Sequence, residues 1–169
     1  DCGVGIRSLK KHFHNYGLQL SMVHNVLITH DHADHVKSVG SISGDLHLPV
    51  YTTEDVHRGI SRNWCVRRKI DSQLAKNLVQ GKEIMIGAFR VTPFGVPHDS
   101  TDCVGYSIEC GGIRFTLVTD CGHITEDIAH YISISNYLVI EANHEPEKLE
   151  AGPYPRHLKK RISGPDGHL

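Results

Sequence analysis

Asn25-Val26-Leu27-Ile28-Thr29-His30-Asp31-His32-Ala33-Asp34-His35 is the stretch on which the reading of this chain turns. The apolar, β-branched run before His30 has the make-up of a buried strand, and His30 stands where that strand should end. Residues two apart on an extended backbone point the same way, so His30 and His32 can offer their imidazoles to one ion. Asp34 and His35 then open a helix that continues through Val36, Val39 and Ile42. Adjacent side chains at a helix start splay in different directions, which lets this pair face a second ion close to the first. Neutral imidazole suits zinc and its neighbours, and the carboxylate widens the choice to manganese or iron.

The layout recurs further along. The apolar run Phe115 to Thr119 ends at Asp120, and a buried carboxylate at a strand end needs a cation or hydrogen-bond donors. His98 lies just after a strand, with Pro97 before it as a rigid means of aiming a side chain. Tyr137 to Ile140 reads as another buried strand, followed at its rim by Glu141, Asn143 and His144. His144 suits protonation of a leaving group, binding of a phosphate, or orientation of a ligand from behind.

His30-x-His32-x-Asp34-His35 after an apolar strand resembles the metal motif of the metallo-β-lactamase superfamily. Val96-Pro97-His98-Asp99, Leu117-Val118-Thr119-Asp120 and Gly167-His168-Leu169 resemble the segments that supply its remaining ligands. Glu141-Ala142-Asn143-His144, Gly152-Pro153-Tyr154-Pro155 and Leu158-Lys159-x-Arg161-Ile162 resemble one branch, the WalJ/YycJ-like proteins related to ribonuclease Z. The resemblance covers nearly the whole chain. It implies an α/β fold, a four-layer αβ/βα sandwich with the site at one edge between the sheets. Asp1-Cys2-Gly3 matches the tail of an early strand that helps shape the site, so the expectation is a domain lacking its first strands and its last helix.

The resemblance also implies two divalent metal ions per chain, zinc or manganese with iron as a third option. His30, His32 and His98 would hold one ion, Asp34, His35 and His168 the other, and Asp120 would bridge them. Cys121 adjoins the bridging position, but neighbours on a strand point oppositely, so only one of the two faces the ions. Asp120 is favoured because it fits the resemblance and because a carboxylate can bridge, whereas a buried thiol is usually inert. Two ions about 3.5–4 Å apart can hold a hydroxide between them. Asp34 is the candidate for orienting that hydroxide or moving its proton, and His144 the candidate acid. The implied activity is a metal-dependent hydrolase, a phosphodiesterase or DNA exonuclease with nucleic acid as substrate. The rival readings are a hydrolase of small esters, thioesters or lactones, and a metal-stabilised interaction module without turnover.

Composition bounds these expectations. The 169 residues, 39% hydrophobic, suffice for a single domain over 1–169 that folds without staples. A formal net charge of −1 and a pI near 7.0 give no global attraction to nucleic acid, so any grip is local. Arg62, Arg67 and Arg68 beside Trp64, and Arg156 and Lys159 in a basic helix over 154–162, are the candidates, with a solvated helix face as the plainer alternative. Five cysteines without a Cys-x-x-Cys pair suggest reduced thiols and a cytoplasmic protein. No apolar stretch approaches the ~20 residues of a membrane span, and protein partners are left unknown.

The remaining pattern predicts a helix carrying Ile6, Leu9, Phe13 and Tyr16 into the core and stopping at Gly17. A strand follows over 48–51, a capped helix starts at Thr53-Glu54-Asp55, and an amphipathic run includes Leu74, Leu78 and Val79. Strands are expected over 83–86, 89–93, 104–109 and 113–119, with Gly111-Gly112 as the hairpin turn. A helix over 125–134 completes the series.

Overall fold

The computed structural model describes residues 1–169. The chain divides into two compact units, Asp1–Val79 with Ser100–Asp102, and Gln80–Asp99 with Cys103–Leu169.

The first unit is built on a parallel sheet in the order β1 (Val26–Leu27), β2 (Val50–Thr53) and β3 (Ala75–Leu78). Parallel neighbours require crossover connections. Helices α2 (Ala33–Val36) and α3 (Val39–Leu46) supply the first, and α4 (Glu54–Arg62) the second. Thr53 caps α4 by accepting the Val56 amide, as its place before Glu54-Asp55 predicts. Ile28, Val36, Val39, Val50, Val56 and Ile60 form the core beneath. Helix α1 (Ile6–Asn15) lies on this core through Ile6 and Leu9. Its packing is shallower than expected, for no residue in it is fully buried, and Tyr16, past its end, is 80% exposed. Gly17, at φ +69, turns the chain away there.

The single helix expected from Asp34 to Ile42 is broken between α2 and α3. The Cys2 amide donates to the His35 carbonyl at 2.6 Å, and the Cys2 carbonyl accepts from the Ser38 amide at 3.0 Å. A continuous helix would have used both groups in its own ladder. Gly3 permits this insertion, since a Cβ there would lie 1.2 Å from the Asp34 carbonyl oxygen. The run from Leu74 to Leu78 ends in the edge strand β3, and Arg67 and Arg68 lie in the loop before it.

The second unit is a five-stranded sheet in the order β4 (Ile84–Ile86), β5 (Phe89–Gly95), β6 (Val104–Cys110), β7 (Ile113–Val118) and β8 (Tyr137–Ile140). Pairing is antiparallel from β4 to β7, and β8 runs parallel to β7. Gly111 and Gly112, at φ +58 and +77, make the two-residue turn between β6 and β7, both in the left-handed region that a type I′ hairpin demands. Helix α5 (Glu126–Ser133), capped by Thr125, connects β7 to β8. It buries Ile128 with Phe94, Val96 and Val118. The expectation of a buried strand at Tyr137–Ile140 fails: β8 is the sheet edge, and Tyr137 is 64% exposed. Apolar content gave the strand, but the neighbours that would cover it are a tertiary matter. Helices α6 (Pro146–Ala151) and α7 (Arg156–Ile162) follow.

Candidate metal centre

Strand direction places the candidate ligands of the second unit. β5 and β7 are each antiparallel to β6 and therefore run the same way, and β8 runs with them. Side chains just past their C-terminal ends thus emerge at one edge of the sheet. His98 follows β5, Asp120 follows β7, and Glu141 follows β8. His168 joins them, with its amide donating to the Ile162 carbonyl at the end of α7. Ligand atoms of Asp120, Glu141 and His168 lie within 4.8 Å of one another and could hold a metal ion.

The hydrogen bonds decide which nitrogen each imidazole offers. His98 Nδ1 lies 3.1 Å from the Gly167 carbonyl oxygen, which only accepts, so Nδ1 carries the proton and Nε2 the lone pair. That Nε2 stands 3.5 Å from Asp120 Oδ2. A lone pair facing a carboxylate is repulsive unless a cation lies between them. Two ligands about 2.1 Å from a tetrahedral ion are separated by roughly 3.4 Å, so the spacing fits a shared ion. His168 Nδ1 donates to Glu141 Oε1 at 2.6 Å, leaving its Nε2 likewise available.

Glu141 is the residue that the ligand expectation passed over. Its side chain is 3% exposed, a costly position for a carboxylate without donors. Three are present: the Cys121 amide at 2.5 Å, the Asn143 side-chain amide and His168 Nδ1. Its sequence signal was its place directly after an apolar strand, the same signal that marked Asp120. Cys121 is fully buried, and its Sγ donates to the His123 carbonyl. Burial raises the Cys121 thiol above its ordinary pKa.

In the first unit, His30 follows β1 and is itself buried. Its ring centroid lies 4.7 Å from that of His32 and 4.1 Å from that of His35. Asp1 organises this group: its carboxylate accepts from the Thr29 amide and hydroxyl and lies 2.9 Å from His35 Nδ1. Because the Thr29 hydroxyl donates to Asp1, it accepts from His30 Nδ1, 3.0 Å away. His30 and His35 therefore also present Nε2. Asp34 is 80% exposed, with Oδ2 3.8 Å from His35 Nε2. Asp31 points elsewhere, bonded to the Thr101 amide and hydroxyl.

The cations nominated for substrate fall into two groups. Arg68 pairs with Asp45 at 2.5 Å, and the Lys159 ammonium donates to the Glu150 carbonyl at the end of α6. Arg62, Arg67 and Arg156 are exposed, as is Trp64 at 87%. Arg161 of α7 forms a two-pronged pair with Asp99. Lys69 caps α4 through the Ile60 and Asn63 carbonyls. His144 Nδ1 is buried and makes no hydrogen bond. It borders a cavity of about 470 Å³ lined also by Asn143, Lys148 and Tyr154.

Residues 1–164 match the Beta-lactamase superfamily domain. With its mixed α/β architecture of two sheets and these histidine and carboxylate sets, the chain belongs to the metallo-β-lactamase superfamily. It is 28% identical over 173 residues to Exodeoxyribonuclease YycJ of Bacillus anthracis, an alignment that covers 100% of this chain and 63% of that protein. It is 31% identical over 144 residues to Exodeoxyribonuclease WalJ of Streptococcus pneumoniae, covering 85% of this chain and 53% of the relative. The chain thus spans less than two thirds of the length of either relative. Among solved structures, Zn(2+)-bound PqqB from Methylobacterium extorquens shares the fold with a TM-score of 0.66 at 21% identity, over 78% of this chain and 50% of that one. The Rm3 metallo-β-lactamase does so at 0.58 and 11% identity, over 95% of this chain and 70% of its own.

Proposed function

We propose that this chain carries the catalytic centre of a dinuclear metal-dependent phosphodiesterase, an exonuclease acting on DNA ends. On this reading the two units belong to one catalytic domain. His30, His32 and His98 would hold one ion and Asp34, His35 and His168 the other, with Asp120 as a ligand shared by both. The observation that carries it is the common arrangement of the imidazoles: Nδ1 of His30, His35, His98 and His168 is held by oxygen, so that Nε2 is the nitrogen offered. Mixed imidazole and carboxylate donors suit zinc or manganese. The names of the two exodeoxyribonuclease relatives support the choice of substrate.

Bound divalent ions supply a water pKa lowered toward ~7 and positive charge for the attacked and departing oxygens. The chain's own residues do the rest. Glu141, Asp1, Thr29 and the Gly167 carbonyl hold the rings in orientation. Exposed Asp34 accepts and passes on the proton of the attacking water. His144, from the wall of the 470 Å³ cavity, donates to the leaving oxygen. The five free thiols suit a reducing compartment, and the proposed location is the cytoplasm. No helix is long and apolar enough to cross a membrane.

The test combines metal analysis of the purified protein with a panel of end-labelled DNA, thioesters and lactones. The expected result is two ions per chain and shortening of DNA from its ends. Asp34→Ala should lower turnover by on the order of 10²–10⁴-fold with the fold intact. Hydrolysis confined to the small esters would replace the substrate reading. Less than one ion per chain with no turnover would favour a non-catalytic module.

A further inference from the structure

Between Asp1 and Asp31 the chain has no acidic residue, and α1 lies within this stretch. Arg7, Lys10, Lys11 and His14 fall at the spacing that gathers them into an arc of about 100° on one side of a helix. All four are exposed. The opposite side holds Ile6 and Leu9 against the core.

These cations differ from the six that a carboxylate already neutralises. Arg58, Arg68, Arg90, Arg114, Lys148 and Arg161 each pair with a carboxylate. Arg7, Lys10 and Lys11 form no ion pair. A cleft of about 670 Å³ runs beside them, with Lys10, His14, Gln19 and Ser21 at its edge and Leu18, Leu20 and Leu46 along its wall. The stripe is also tied to the candidate ligands within its own unit. Cys2 is hydrogen-bonded to the His35 and Ser38 backbones. Arg7, five residues on, therefore lies within roughly 18 Å of that loop by chain length alone.

The geometry points to α1 as a docking surface for the phosphate backbone of a nucleic acid, with Arg7, Lys10 and Lys11 as its contacts. Three charges on two successive turns, Arg7 on one and Lys10 with Lys11 on the next, about 5.4 Å on, complement a chain of phosphates. The apolar side of α1 is already used by the core, so what remains is cationic and suits a soluble polyanion better than insertion into lipid. The physiological partner rests on the nuclease reading, but the binding is measured without it.

The test follows the binding of labelled duplex DNA, with phosphorothioate linkages at its ends, to the whole protein between about 50 and 200 mM salt. R7Q/K10Q/K11Q keeps good helix formers and should reduce the slope of log affinity against log salt by about 2 to 3. Hydrolysis of a small chromogenic phosphodiester should not change. R7K/K10R/K11R, which keeps the charges, should retain the wild-type slope. An unchanged slope in the glutamine variant, with helicity and melting preserved, overturns the assignment. So does charge-dependent binding to phosphatidylserine vesicles with none to DNA, which would make the partner a lipid surface. Failure of the wild type to degrade unmodified DNA would sink the nuclease reading alone, and the slope would still decide this one.

Discussion

Glu141 holds His168 by a 2.6 Å bond from Nδ1 to Oε1, although the two residues stand 27 apart in the chain. The bond fixes the tautomer and orientation of the imidazole and makes Nε2 the more basic donor. Two further donors hold the carboxylate itself, so the orientation is set from the sheet outward.

Glu141→Gln keeps the size of this group and removes its charge. Metal affinity should fall by about 10–100-fold, read by competition with a chromogenic chelator. An affinity equal to the wild type would show that Glu141 has no part in positioning His168.

Gly3 and Gly5 form a matched pair for a packing test. A Cβ at Gly3 would lie 1.2 Å from the Asp34 carbonyl oxygen, and one at Gly5 meets nothing within 4 Å. Gly3→Ala should cost on the order of 3 kcal/mol in urea unfolding, and Gly5→Ala less than about 0.5 kcal/mol. Equal stabilities would mean that the Cys2 insertion is not held as described.

The thiols should react in order of exposure. Cys110 is exposed and Cys65 half-buried, whereas Cys2, Cys103 and Cys121 are buried. Desolvation by burial raises Cys2 and Cys121 above the ordinary thiol range, which lowers their thiolate fraction further. A thiol reagent with mass-spectrometric mapping should label Cys110 and Cys65 first and the other three only on unfolding. Early labelling of Cys121 would contradict the buried placement beside Asp120.

His57, on α4, lies with Nε2 3.3 Å from the Lys76 carbonyl of β3. Burial lowers its pKa below the ordinary 6.5. The unfolded chain then binds this proton more readily than the folded one. The stabilising contribution is complete above pH 6.5 and is lost as pH falls through the lower folded value. His57→Gln, which keeps a donor, should flatten the fall in thermal stability below pH 6.5. An unchanged pH profile would remove His57 as its source.

Much of the candidate site was legible because it follows local rules. His30 and Asp120 were found at the ends of apolar runs, and strand ends are where the chain leaves the sheet. The helix break at Lys37-Ser38 was not legible, because its cause is a backbone segment that approaches from Cys2. The exposure of Tyr137 was missed for a related reason: hydrophobicity specifies a strand, while burial depends on what packs over it. Glu141 was seen as a polar group at a rim, but its bond to His168 depends on a segment 27 residues further along the chain folding back to it.

By itself the sequence determined the choice of His30, His32, Asp34 and His35 as candidate ligands, the caps at Thr53 and Thr125, and the Gly111-Gly112 turn. Each of these rests on conformational preferences that act over a few residues. Only the tertiary structure decided which nitrogen each histidine presents and which cations are already paired. The partners that settle those points, Asp1 for His35, Gly167 for His98 and Glu141 for His168, lie 34, 69 and 27 residues away. Closing loops of that length is the work of the two cores, because burial of their apolar side chains offsets the chain entropy that the separation costs.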